Sequence, residues 1–166
     1  MAAKRISGVS NLTLVSKKAS TAFSANSFVT FDGGTGFIKP LVATDPSVFG
    51  VIQGTIASTD ADYAKNTPVL VDQGALDQVW EVDVYNAGAA TPFAATDVGQ
   101  FFKMGSTVAI DCNTRSSTAG AGFTAQGLVF LCVGFIRATT VVSGTTADGL
   151  GLFKIMSMSQ ARPSST

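Results

Sequence analysis

Histidine is absent from this chain. That absence excludes a Ser-His-Asp or Cys-His nucleophile and any histidine-ligated zinc site. Charge is scarce as well: 13% of residues are charged, against about 25% in an ordinary soluble domain. The 11 Lys and Arg balance the 11 Asp and Glu, so the formal net charge is zero. A nucleic-acid binder needs a basic face to displace counterions from phosphates. Here only Lys4, Arg5, Lys17 and Lys18 cluster, close to the N-terminus. No specific nucleic-acid partner is expected on that basis. Only two cysteines occur, Cys112 and Cys132, too few for a disulfide framework or a metal cage. They read as free, buried thiols, with a bridge between neighbouring strands as the alternative. Positions 1–30 lack the continuous apolar core of a secretory signal peptide. The longest apolar run ends at Arg137 and falls short of the roughly 20 residues a membrane helix needs. No membrane partner is expected.

What the chain does have is β pattern. Hydrophobic residues make up 46%, and 17 glycines punctuate short apolar runs. Helical periodicity is weak. The stretch 127–138, GLVFLCVGFIRA, is apolar at both parities. Leu128, Phe130, Cys132 and Ile136 would point one way, and Val129, Leu131, Val133 and Phe135 the other. A strand wet on one side alternates, so this one predicts cover on both faces. Two further runs flank Asp32-Gly33-Gly34, a hairpin signal, because such turns need residues that accept positive φ. Pro40 lacks an amide donor and predicts a sheet edge or a break. Gly50 and Gly54 predict a bulge or a close backbone approach. Residues 78–86 alternate cleanly, with Trp80, Val82 and Val84 inward and Glu81 and Asp83 outward.

The reading is an all-β fold, a single β-sandwich or barrel-like domain of roughly nine or ten short strands. An N-terminal arm over 1–26, which could hold a first strand, precedes the β-rich domain at 27–160. A loose tail follows at 161–166.

Several constellations have chemistry only in outline. Asp32-Gly33-Gly34-Thr35-Gly36 with Lys39 fails the spacing of a phosphate loop. Glu81 and Asp83 share a strand face about 7 Å apart, a spacing that glycoside hydrolysis could use, but nothing near them would raise a carboxyl pKa. Asp60 and Asp62 lack the rest of a calcium loop. Phe101 and Phe102 beside Lys103 read as core before they read as a base-stacking platform. No catalytic residue, cofactor or metal is assigned. Zero net charge gives little repulsion between copies, which suits a subunit of a symmetric assembly.

The order of the pieces carries a resemblance. GGTGFIKPLVA (33–43) precedes VFGVIQG (48–54), VWEVDV (79–84) and ATDVGQFF (95–102). GLVFLCVGFI (127–136) and LFKIMSMSQ (152–160) close the series. This succession resembles the small β-rich capsid decoration, or cement, proteins of tailed bacteriophages and related phage structural proteins. The likeness is one of pattern over most of 27–160. It implies a non-enzymatic virion protein on the outer surface of the capsid, made in the bacterial cytoplasm and bound to the major capsid protein. It also implies a homo-oligomer, a trimer by preference, that stabilises the shell against internal DNA pressure. Expected core and interface residues are Val129, Leu131, Val133, Phe135, Phe153 and Ile155, with the basic arm (Lys4, Arg5, Lys17, Lys18) reaching a neighbouring subunit. The rival readings are a tail-tube, connector or fibre-base component, and a carbohydrate-binding β-sandwich using Trp80 or Glu81.

Overall fold

The computed structural model describes residues 3–88, 91–106, 109–117, 128–139 and 147–157. They form eleven strands: β1 (Lys4–Ser7), β2 (Leu12–Ser16), β3 (Phe28–Phe31), β4 (Ile38–Pro40), β5 (Gly50–Ile52), β6 (Pro68–Gln73), β7 (Val79–Tyr85), β8 (Phe101–Ser106), β9 (Ala109–Ser116), β10 (Phe130–Arg137) and β11 (Gly149–Ile155). A 3-10 turn at Ala95–Asp97 stands between β7 and β8. The fold is all-β, as the sequence predicts.

Strands β7, β11, β10, β8 and β9 pair in that order. A parallel ladder, Asp83–Tyr85 against Ala109–Asp111, returns β9 to β7 and closes the five into a barrel. β1 joins β7 just ahead of that ladder, with Lys4 opposite Glu81 and Arg5 opposite Trp80. The second sheet runs β2-β6-β5-β3-β4, and a bridge between Lys17 and Ile38 joins its two ends.

Period-two patterning sets which side chains fill the barrel. Along β11, Gly151, Phe153 and Ile155 are buried while Leu150, Leu152 and Lys154 are partly exposed. Val82 and Val84 (β7), Phe102 (β8), Ile110 (β9) and Phe130 (β10) complete the interior. The second sheet encloses its own core of Phe23, Val29, Ile38, Phe49, Ile52 and Val71. Phe28, one residue before Val29, points the other way. Its ring meets Trp80 edge-on at 5.9 Å and Phe130 at 4.8 Å, tying the second sheet to the barrel.

Several local expectations meet the structure directly. The hairpin at Asp32 forms, with Gly34 and Gly36 at φ 85° and 73°. β4 is an end strand that stops at Pro40. A Cβ on Gly50 would collide with the Asp72 carbonyl, so β5 and β6 approach too closely for any side chain there. Gly54 differs: a Cβ there meets nothing within 4 Å. Cys112 and Cys132 are buried and free, on β9 and β10 with β8 between them.

Two expectations need correction. The N-terminal arm is, over residues 3–26, part of both sheets, because β1 pairs with β7 and β2 with β6. The β10 strand does not keep one parity. Register shifts between Cys132 and Gly134 and again between Phe135 and Arg137. The extra residue at Val133 moves Phe135 to the Phe130 and Cys132 side, where it stands opposite Gly151 and 5.6 Å from the ring of Phe93. The expected tail at 161–166 lies outside the described residues.

Candidate interaction surface

The barrel wall has an outer face, and the registers define it. Leu131 stands opposite Phe101 on one side and Lys154 on the other. Leu152 stands between Gly134 and Glu81, and Glu81 opposite Lys4. Leu152 lies across Gly134, where an added Cβ would come within 2.9 Å of its Cδ1. Phe101, Leu131, Val133, Leu150 and Leu152 are all partly exposed. Both faces of β10 were expected to be covered. Within one chain only the inner face is, since Phe130 and Cys132 are at 0% and 1% exposure while the outer side chains remain half wet. This partly exposed apolar wall also carries Lys103, Lys154 and Glu81.

The residues expected at an interface separate into three groups. Leu131 and Val133 lie on the outer wall, and Phe135 is 37% exposed at the rim of the barrel interior. Val129, Phe153 and Ile155 are core, at 1%, 0% and 0% exposure, so they hold the barrel together and face no partner. The basic residues also scatter. Lys4 is exposed beside Glu81, and Arg5 pairs with Asp72 of the second sheet at 2.8 Å. Lys18 pairs with Asp32 at 2.9 Å. Lys17 is fully buried, its Nζ donating to the Tyr63 carbonyl at 2.9 Å and the Lys65 carbonyl at 2.7 Å. It staples the 57–66 loop to the second sheet and does not reach outward.

Leu150, Leu152 and Phe101 were missed as surface residues. The alternation Leu150-Gly151-Leu152-Phe153-Lys154-Ile155 carries the signal, with a leucine and a lysine sharing one parity. A second exposed apolar group lies on the β2–β6 pair, where Leu12, Leu14 and Leu70 share a face.

The chemical candidates dissolve into structural roles. Asp83 is buried in β7, while Glu81 faces outward. Asp60 accepts the Ala57 amide at 2.7 Å, and Asp62 pairs with Lys65 at 3.3 Å. Asp97 accepts the Ala94 amide at 3.0 Å and meets Arg115 at 3.2 Å, fixing the turn before β8. Trp80 is 2% exposed and offers no platform to a sugar. Burial pushes the Cys132 thiol from about 9 up to about 11 and raises that of Cys112 as well. Thiols held protonated are poor nucleophiles at neutral pH. A cleft of about 300 Å³ at the seam of the two sheets is lined by Lys4, Arg5, Asn26, Gln53, Asp72 and Trp80. Its one acid is already paired with Arg5. Among the described residues, no three His, Cys, Asp or Glu side chains group as metal ligands. The chain matches no protein-family model, no curated protein and no solved structure.

Proposed function

We propose that this chain is a non-enzymatic virion structural protein that binds the outer surface of a phage capsid and stabilises the shell. The observation that carries the reading is the outer barrel wall, where Phe101, Leu131, Val133, Leu150 and Leu152 stay partly exposed on a closed barrel. Zero net charge and few charged residues favour dense packing of many copies on one lattice. Each contact can be modest, because many copies on one particle sum small interfaces into high avidity. The major capsid protein is the partner this reading names.

The test is co-sedimentation with expanded capsids of the phage that encodes the chain, assembled without it. Wild-type protein saturates the shells at a copy number comparable to the capsid protein. Replacing both Leu131 and Leu152 with Lys weakens binding by about tenfold or more, since each buried leucine contributes about 1.5–3 kcal/mol. Undiminished binding by that variant, or sedimentation only with purified tails, contradicts the proposal. The second outcome would favour a tail or connector component.

A further inference from the structure

Four strands end the sheet orders, and once β9 has closed onto β7 three remain: β1, β2 and β4. β1 carries Lys4 and Arg5. β4 is three residues long and contains Lys39 and Pro40. Charge, proline and shortness are the devices that stop a sheet edge from accepting another strand. β2, reading Leu-Thr-Leu-Val-Ser, has none of them.

The β2–β6 ladder fixes where the backbone groups of β2 point. Gln73 N–H donates to the Asn11 carbonyl at 2.9 Å, and Lys17 N–H donates to the Thr67 carbonyl at 3.0 Å. Direction alternates along an antiparallel ladder, so Thr13 and Val15 also face β6. Leu12 and Leu14 then turn their amides and carbonyls to the opposite side. That side is closed only at its end, where Lys18 N–H donates to the Ile38 carbonyl at 2.9 Å. The parallel sense of this bridge carries the 32–37 turn along the same flank. A Cβ on Gly33, Gly34 or Gly36 meets nothing within 4 Å, so that turn stands open at its glycines. The same two residues expose their side chains, Leu12 at 55% and Leu14 at 69%, and Leu14 stands opposite Leu70 at 41%.

We propose that the free edge of β2 pairs antiparallel with β2 of a second copy of this chain, across a two-fold axis at Thr13. In that register Leu12 of one copy faces Leu14 of the other, and about four N–H···O=C bonds form between them. The Ser16 end stays with Ile38. Leu70, Leu14 and the second copy's Leu12 form one row across the joined sheets, and its symmetry mate forms another.

Charge selects the occupant. Across a two-fold axis a strand without charged side chains meets its own copy with no like-charge repulsion. Residues 9–16 contain no charged side chain. The charges just beyond are committed elsewhere, Lys17 to two backbone carbonyls, Lys18 to Asp32 and Asp72 to Arg5. A partner recognised by charge would find nothing here to read. This pairing belongs to the isolated chain and stands apart from the capsid reading. It makes a dimer, where the family resemblance implies a trimer.

Sedimentation equilibrium of the full chain from about 1 to 100 µM tests it, a range that brackets ordinary transient affinities. Leu14→Pro removes an amide that faces away from β6, so the internal ladder survives. Leu14→Lys sets two like charges across the axis. Wild type sediments as a dimer that dissociates on dilution, and both variants are monomers with the wild-type far-UV circular dichroism. Should Leu14→Pro fail to fold, Leu14→Lys decides. Hydrogen exchange gives a reading without mutation: the Leu12 and Leu14 amides are protected at high concentration and exchange freely on dilution. A wild type that is monomeric throughout, an oligomer that Leu14→Lys leaves intact, or amides unprotected at every concentration overturns the proposal.

Discussion

Lys17 shows how far a single side chain's role can depart from its residue type. In sequence it belongs to a basic cluster, and in the fold it is sealed under the 57–66 loop with two carbonyls as its partners. Hydrogen bonds from a charged donor contribute about 1.5–3 kcal/mol each, and removing the donor leaves two carbonyls unsatisfied. Lys17→Met is therefore expected to lower stability by about 2–4 kcal/mol in urea unfolding. It should also open the loop to limited proteolysis near Asp60–Lys65. An unchanged midpoint would remove the staple from this account. The buried thiols set a pH dependence. An unfolded Cys132 ionises near 9, whereas the buried thiol is held protonated to about 11, by burial first. The folded state gains relative stability from this below pH 9 and loses it progressively as pH rises toward 11. Cys112 and Tyr85, both also raised chiefly by burial, act in the same direction. Thermal melts between pH 7 and 11 should show the decline, and Cys132→Ala should flatten it even though the variant starts less stable.

At the scale of the strand, what was legible in the sequence follows from whether a local rule remains unbroken. In β7 alternation alone assigns Trp80, Val82 and Val84 inward correctly, but Asp83, expected outward, is buried; the alternation in β11, with Phe153 and Ile155 inward, was there to be read and was not used. β10 read correctly as a strand but wrongly in phase past Cys132, because two register shifts add residues that no period-two count can see. The same limit hid the outer wall: exposure of Leu131 and Leu152 depends on which strands close the barrel, and β9 returns to β7 by a parallel ladder between distant segments. The N-terminal strands were read as an arm because their partners, β7 and β6, lie more than sixty positions away in Val79–Tyr85 and about as far in Pro68–Gln73. Phe28 is the element-level hinge between the two cores, fully buried against Trp80 and Phe130. Phe28→Ala is expected to cost about 3–5 kcal/mol, since the ring leaves a cavity that both sheets border. Denaturant unfolding followed by Trp80 fluorescence measures it. A loss below about 1 kcal/mol would mean that the sheets do not depend on this ring for their union.

For the whole molecule, composition and fold point in one direction. The chain is charge-poor and formally neutral and its barrel is closed; among the described residues, apolar side chains are partly exposed on the outer wall and more fully exposed on the β2–β6 pair and at scattered positions such as Val9, Leu76 and Ile136. The candidate contact residues were only partly legible: Leu131 and Val133 were named from the sequence, whereas Leu12, Leu14, Leu150 and Leu152 needed the registers. The proposed virion role turns that surface into contact with a lattice. Cryo-electron microscopy of the virion to which this proposal assigns the chain tests it most directly. The account predicts density for this barrel on the outer shell, with Leu131 and Leu152 turned toward the capsid protein and copies repeating with the icosahedral lattice. Density confined to the tail or portal, or a particle that contains none of this chain, would contradict it.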